Sequence, residues 1–223
     1  MTTVEPEPAP ATRLELGYDK KLMLFSGRAN PDLGAKIAAK LGISPGPVTL
    51  KTFTNGEVYC RYGESIRGAD VFIVQTGAEP VDRNLMELLL MIQAAKLASA
   101  KRITAVVPWF PYSRQDRKAK PREPISGRLV ADMLQLAGAD RVLTMDLHAG
   151  QVQGFFRIPV DHMTAVPMFA QYVRDLNLGE ELAAVSPDTG RAKLAGKFAE
   201  MIGGGGTTSY PTPLLPSVQV LSL

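Results

Sequence analysis

Cysteine and histidine are scarce in this sequence of 223 residues, which has one Cys, Cys60, and two His. One cysteine cannot form a disulfide within the chain, so the disulfide-stapled class of small secreted domains is excluded. One Cys and two His are also too few for a cysteine-rich zinc site. Residues 1–12 lack the basic start and apolar segment of a secretory signal, and the cytoplasm is therefore the expected location.

Long apolar runs and a large excess of one charge are absent too. No apolar run approaches the roughly 20 residues that cross a bilayer, so we expect no membrane partner. The 25 basic and 22 acidic side chains give a formal net charge of +3, which is too small to argue for nucleic acid. The phosphate-loop motif G-x-x-x-x-G-K-[ST] is missing, which excludes P-loop nucleotide chemistry.

Short apolar runs alternate with helical patterns along the chain. Predicted strands cover residues 21–26, 48–53, 57–62, 71–76, 102–110, 141–146 and 182–186. Predicted helices cover residues 31–41, 82–99, 126–136, 164–176 and 190–202. Strands separated by helices indicate βαβ crossovers, and the sequence therefore predicts an α/β fold with a mostly parallel sheet flanked by helices. In such sheets ligands bind beyond the carboxyl ends of the strands.

The segment 203–223 differs from the rest because none of its 21 residues is charged. Its pattern predicts no helix or strand that would continue the fold. Two explanations stay open. The segment is a flexible linker, or the native reading frame stops near Ile202 and a foreign sequence follows, which we favour because the sheet would otherwise stay unfinished.

A loop rich in basic residues follows the predicted strand 102–110. Between Arg114 and Arg128, six basic side chains occur in fifteen residues, and the only acids are Asp116 and Glu123. Arginine and lysine at the carboxyl edge of a parallel sheet suit a polyphosphate ligand. A solvated basic surface is an equally balanced alternative, and binding of nucleic acid by this loop is a further hypothesis.

Two other strand ends carry groups that could hold a divalent metal or move a proton. Asp146 and His148 follow the strand 141–146, and Asp188 follows the strand 182–186. A carboxylate or imidazole at such an edge could bind Mg²⁺ beside a phosphorylated substrate. Asp188 could instead cap the helix that follows it. His162, the second histidine, is expected to satisfy a local hydrogen bond.

A series of motifs resembles one known family. The matching segments are 53–57 (FTNGE), 64–68 (ESIRG), 84–88 (NLMEL), 99–104 (SAKRIT), 112–118 (YSRQDRK), 122–126 (REPIS), 138–142 (GADRV), 145–156 (MDLHAGQVQGFF), 159–162 (PVDH) and 185–188 (VSPD). From about residue 21 to about residue 202, the chain resembles the ribose-phosphate pyrophosphokinases, also called phosphoribosyl pyrophosphate synthetases. The resemblance implies two phosphoribosyltransferase-like α/β domains, ATP and ribose 5-phosphate as substrates, Mg²⁺ as cofactor, and hexamers of identical subunits.

The resemblance also implies roles for individual residues. ATP would be bound by a hairpin and by the basic loop, through Phe53, Asn55, Glu57, Arg114, Gln115, Asp116 and Lys118. Mg²⁺ would be bound by His148 and Asp188. Asn55 departs from the aspartate that is common at its place in the family, and the adenine contact is expected to survive that change.

The C-terminal part departs further from the family. Its members carry a catalytic loop with Lys and Arg and an acidic loop for ribose 5-phosphate after the helix that matches 190–202. This chain has no Lys or Arg after Lys197 and no Asp or Glu after Glu200. We therefore expect a disordered tail at 1–12, a first domain at 13–158, a partial second domain at 159–202 and a non-family tail at 203–223. The chain alone would be inactive, or it would be a non-catalytic regulatory or assembly partner of full-length subunits.

Overall fold

The chain forms two compact units in a computed structural model that describes residues 22–179, 182–186, 189–204, 207–209 and 219–222. Unit 1 comprises Met1–Leu143 and His148–Asp161, and unit 2 comprises Thr144–Leu147 and His162–Leu223. The predicted tail at 1–12 lies outside the described residues. The domain limits given above at residues 12, 158 and 202 stay predictions.

Strands and helices follow one another from Leu22 onward, with three strands in succession between the first two helices. The strands up to residue 163 are β1 (Leu22–Ser26), β2 (Val48–Thr52), β3 (Val58–Tyr62), β4 (Asp70–Val74), β5 (Arg102–Val107), β6 (Arg141–Met145) and β7 (Val160–Met163). The helices between them are α1 (Pro31–Lys40), α2 (Val81–Leu97) and α3 (Ser126–Ala137), with a 3₁₀ helix at Gly150–Phe155. The predicted order of strands and helices is confirmed. The 3₁₀ helix and β7 were not predicted, because both are short and lack a clear periodicity.

The main sheet has the strand order β1-β4-β5-β6-β7. β1 pairs with β4 in parallel register, Leu22 opposite Asp70, and β4 pairs with β5 in parallel, Asp70 opposite Arg102. β2 and β3 form a separate antiparallel hairpin. The prediction of a mostly parallel sheet flanked by helices is therefore confirmed. β5 is shorter than the predicted 102–110, since Pro108 interrupts the strand and has no N–H for the ladder.

The central strands carry continuous apolar runs because both faces of a parallel sheet are covered. Phe25, Val71, Ile73 and Ile103 are fully buried. α2 covers one face with a buried stripe that includes Leu88, Met91 and Ile92. The hairpin packs on the same helix, where the Tyr62 hydroxyl donates to the Met91 carbonyl over 2.8 Å.

Unit 2 is built around one central strand. Its elements are α4 (Val166–Asp175), β8 (Leu182–Ser186), a 3₁₀ turn at Thr189–Arg191, α5 (Ala192–Ile202), β9 (Thr207–Ser209) and β10 (Gln219–Ser222). α4 and α5 cover β8 with a buried cluster of Ala170, Val173, Leu182, Ala184, Phe198, Ala199 and Ile202. None of the helices in the described segments is long and apolar enough to cross a membrane.

The expectation that 203–223 contributes no strand is wrong. β9 pairs with β8 in parallel and β10 pairs with β8 antiparallel, giving the order β10-β8-β9. A central apolar strand such as β8 exposes unpaired N–H and C=O groups on both edges, and pairing with uncharged residues satisfies them. Three- and four-residue strands are too short to show a period-2 pattern in the sequence.

Candidate functional site

The cationic loop, defined as residues 111–125, leaves the carboxyl end of β5. It begins beside the end of β4, where Gly77 N–H donates to the Trp109 carbonyl over 2.8 Å. The approach is close, since a Cβ on Gly77 would lie 2.6 Å from Cδ of Pro111. The first residues of the loop are therefore fixed against the sheet.

Polar side chains hold the loop on both sides. The Tyr112 hydroxyl donates to a carboxylate oxygen of Asp82 in the first turn of α2. This hydrogen bond raises the pKa of Tyr112, because it stabilises the protonated phenol. At the far side, the Ser126 hydroxyl donates to Gln115 Oε1 over 2.5 Å, and Gly127 N–H donates to the Gln115 carbonyl over 3.1 Å.

Two acids in the loop bond to groups that carry no charge. Asp116 is half-buried and accepts from the Gln151 side-chain amide, with 2.5 Å between Nε2 and Oδ2. The Glu123 carboxylate accepts from the backbone N–H groups of Ala119 and Lys120, both over 2.8 Å. These bonds fold the loop back on itself and tie it to the 3₁₀ helix that follows β6.

The cations of the loop point into solvent. Arg114, Arg117, Lys118, Lys120 and Arg122 are exposed. With the residues that the structure describes, none of these five side chains makes a hydrogen bond or an ion pair. Like charges held close together on a restrained loop create a positive field. A ligand with several negative charges, such as a polyphosphate, fits that field.

The hairpin places the other predicted ATP residues at its turn. Phe53 is 51% exposed, and its ring makes a T-shaped contact with that of Tyr59, with 5.9 Å between ring centroids. The turn is closed by Asn55, whose Oδ1 accepts from Glu57 N–H over 3.2 Å, and by Gly56 with φ of +92°. An exposed aromatic face beside a carboxylate and an amide can stack on a base and bond to its edge.

The predicted metal ligands are only partly described. His148 is exposed at the end of β6, and Asp188 lies outside the described residues. Nowhere in the described segments do three or more His, Cys, Asp or Glu side chains gather to hold a metal. The expectation for His162 is confirmed, since its Nε2 accepts from Leu147 N–H over 3.0 Å.

Asp146, which directly follows β6, has a structural role in unit 2. Its two carboxylate oxygens accept from the Thr164 hydroxyl over 2.7 Å and from Ala165 N–H over 3.0 Å, at the start of α4. This arrangement satisfies donors that a helix N-terminus leaves free.

A buried polar network that was not predicted from the sequence lies behind the loops that follow β1 and β4. Glu87 is fully buried in α2 and accepts from Arg28 N–H over 2.7 Å, from Arg28 Nε over 2.5 Å and from Gln75 Nε2 over 3.0 Å. Gln75 Oε1 accepts from Ala29 N–H over 3.0 Å. The signal was present in the sequence, because Glu87 interrupts the apolar face of α2 that includes Leu88 and Met91.

Comparison with known proteins gives concordant results. Residues 22–138 match the profile of the N-terminal domain of ribose phosphate pyrophosphokinase. The chain is 52% identical over 184 residues to the ribose-phosphate pyrophosphokinase of Corynebacterium efficiens, covering 82% of this chain and 57% of that one. It is 50% identical over 185 residues to that of Mycobacterium tuberculosis, covering 83% and 57%. The crystal structure of phosphoribosylpyrophosphate synthetase from Mycobacterium smegmatis superposes with a TM-score of 0.83 at 46% identity, covering 91% and 67%. The chain thus spans about 57% of the length of these curated relatives.

Proposed function

The chain belongs to the ribose-phosphate pyrophosphokinase family, and on that premise we propose that it serves the family's reaction. In this reaction the β,γ-diphosphoryl group of ATP passes to the anomeric hydroxyl of ribose 5-phosphate, giving phosphoribosyl pyrophosphate and AMP. The observation that carries the proposal is the row of exposed cations that pair with no described residue, on a loop whose base is held by hydrogen bonds. The residues described here would supply the ATP side of the reaction.

The cationic loop would bind the phosphates of ATP. Phosphoryl transfer depends mainly on positioning and on neutralising negative charge, and both fit this loop. Arg114 would bond to phosphate oxygens in a bidentate manner, and Lys118 would act as a point charge. The bond from Ser126 to Gln115 would keep Arg114 in place. Binding would cost little reorganisation, because no intramolecular ion pair with a described residue has to break first.

The hairpin would bind the adenine. The exposed ring of Phe53 would stack on the base, since its edge contact with Tyr59 leaves a face open. Asn55 and Glu57 would bond to the polar edge of the base. Because Asn55 already accepts from Glu57 N–H, its amide N–H₂ is the group oriented for the ligand.

Mg²⁺ would bind to these residues together with the nucleotide. The described residues offer no cage of three or more protein ligands. Mg²⁺ commonly keeps several waters and is bound by one or two protein groups together with substrate phosphates. His148 is exposed at the end of β6 and would contact this coordination sphere, with Asp188 as the proposed carboxylate. When bound, the ion would neutralise charge on the phosphate oxygens.

Two further points belong to the proposal. The first is assembly into oligomers, hexameric by resemblance, which light scattering of the purified chain would test. The second is a location in the cytoplasm, where ATP is available. Both follow from family membership and not from a contact in this chain.

Calorimetric titration of the 223-residue chain with Mg-ATP tests the binding step. Hydrogen bonds to charged groups contribute about 1.5–3 kcal/mol, so Arg114→Ala or Lys118→Ala should weaken binding about ten- to a hundredfold. Lys36→Ala is the control, because Lys36 is an exposed cation on α1. Failure of the unaltered chain to bind Mg-ATP, or equal losses in all three variants, would overturn the proposal.

A second assay tests whether the 223-residue chain alone catalyses the reaction. The transition-state cations and the acidic acceptor loop of the family are absent from the sequence, since the last Lys or Arg is Lys197 and the last acid is Glu200. Each such group typically contributes several kcal/mol of barrier lowering. We therefore expect binding of ATP without release of AMP when ribose 5-phosphate is added. Rapid AMP release would show that other residues can replace those loops.

A further inference from the structure

We propose that Gln151 is a positioning residue for the cationic loop, acting through its hydrogen bond to Asp116. The inference rests on the proposed function, because it explains how Asp116 is kept from pairing with the cations proposed to bind ATP. Gln151 itself is not placed against ATP. Its contribution is to fix where the Asp116 carboxylate lies.

The contact joins two segments that are distant in sequence. Gln151 Nε2 lies 2.5 Å from Asp116 Oδ2, across 35 positions of the chain. Asp116 is preceded by Arg114 and Gln115 and followed by Arg117 and Lys118. A carboxylate in such a run would ordinarily pair with a neighbouring cation. Here it bonds to a neutral amide, and none of these cations pairs with a described residue.

Gln151 can hold the loop because its own backbone is fixed. It lies in the 3₁₀ helix Gly150–Phe155, whose next residue, Val152, is fully buried. The Phe156 ring makes a T-shaped contact with the ring of Phe110, which follows β5, with 5.7 Å between centroids. Gly127 in α3 also lies close, since a Cβ there would be 3.7 Å from the Phe155 ring. The helix that carries Gln151 is therefore packed against both ends of the loop.

A neutral partner has a functional advantage over a charged one. A lysine at 151 would hold Asp116 but would add a charge, and an apolar residue would release the carboxylate to pair with Arg117 or Lys118. Such a pair would have to break before a phosphate could bind, so ATP affinity would fall. Losing one hydrogen bond to a charged group corresponds to about ten- to a hundredfold in a binding constant.

Two readouts test the inference, and one of them needs no ligand. Trypsin cleaves after exposed Arg and Lys, and cleavage after Arg114, Arg117 and Lys118 reports how well the loop is held. We expect Gln151→Ala to accelerate cleavage at these three bonds several-fold and to weaken Mg-ATP binding about ten- to a hundredfold. Gln151→Glu should have a larger effect, because two carboxylates then face each other.

The control is a bond of the same kind in unit 2. Gln171 Nε2 donates to Asp175 Oδ1 over 2.7 Å on an exposed face of α4. Gln171→Ala should leave loop cleavage and Mg-ATP binding unchanged. Gln151→Lys separates a specific tether from general loss of structure, because an ion pair with Asp116 should restore protection at Arg114, Arg117 and Lys118.

The outcomes distinguish this inference from the proposed function. Cleavage unchanged in Gln151→Ala and Gln151→Glu, or faster cleavage in Gln151→Lys as well, would overturn the role of Gln151. Failure of the unaltered chain to bind Mg-ATP would overturn the proposed function, while the cleavage rates would still decide whether Gln151 holds the loop.

Discussion

The most demanding test of the fold of unit 1 is the removal of the charge on Glu87. This side chain is fully buried and accepts three hydrogen bonds, two from Arg28 and one from Gln75. The change Glu87→Gln keeps the shape of the side chain. One oxygen can still accept from Arg28 N–H and Gln75 Nε2, but the new N–H₂ group faces the Nε–H of Arg28, so two donors oppose each other.

The size of the effect follows from the exposure of the two partners. Breaking a buried ion pair by removing one partner costs about 3–5 kcal/mol. The Arg28 side chain is 30% exposed, which lets water solvate part of its charge, and two of the three bonds can survive. We therefore expect a loss of about 2–3 kcal/mol for Glu87→Gln. Glu87→Ala removes every acceptor and should cost more.

Urea unfolding followed by circular dichroism measures this loss. With a slope of about 1–3 kcal/mol/M, the midpoint should fall by roughly 0.7–3 M. The control is Asp70→Asn, which breaks the ion pair between Asp70 and Arg102. The Asp70 side chain is 24% exposed and the Arg102 side chain is 50% exposed. Such surface pairs contribute about 0–1 kcal/mol. Equal midpoints for Glu87→Gln and Asp70→Asn would refute the reasoning.

A second readout for Glu87→Gln does not depend on stability. Burial raises the pKa of the Cys60 thiol to about 11, and the negative charge of Glu87 adds to that rise. Removing the charge should lower the pKa of Cys60, so the thiol should react faster with a disulfide reagent at mildly alkaline pH. An unchanged reaction rate would mean that burial alone raises the pKa.

Two further outcomes are expected. Burial raises the pKa of Tyr62, and it raises the pKa of Cys60 from 9.0 to about 11. Because the unfolded chain loses these protons at a lower pH than the folded chain, the free energy of unfolding should fall between pH about 9 and about 11. Denaturation midpoints across this range check the slope, which Cys60→Ser should flatten. Asp146→Ala removes the acceptor for the Thr164 hydroxyl and Ala165 N–H and should cost about 1 kcal/mol, seen as faster amide exchange in the first turn of α4. No change in that exchange would contradict the structural role of Asp146.

The sheet was predictable because its strands are buried on both faces. Continuous apolar runs such as 71–74 and 105–107 stand out from the amphipathic helices between them, and that alternation predicts a parallel order. β9 and β10 could not be predicted in this way. Their pairing depends on the open edges of β8, which are a property of the tertiary structure and leave no trace in segments of three or four residues.

The candidate site, like the fold, could be predicted from the sequence only in part. The basic run 114–122 and its place after β5 could be predicted from the sequence, since charge density and strand ends are local features. The partners of the loop could not, because Gln151 and Asp82 lie 35 and 30 positions away from the residues they bond. The roles of Phe53 and His148 toward a ligand stay predictions.

The restraints on the cationic loop share one property that links its fold to its chemistry. Tyr112, Gln115, Asp116 and Glu123 hold it in place, and each does so through a neutral side chain, a carboxylate or the backbone. Among the described residues, no Arg or Lys side chain of 111–125 takes part in holding the loop, whereas Arg128, in the first turn of α3, pairs with Asp132. A loop held by its own cations would lose those bonds on binding a polyphosphate. A loop held by other groups keeps its shape while its positive charge is neutralised, which is what pre-organised binding of an anion requires.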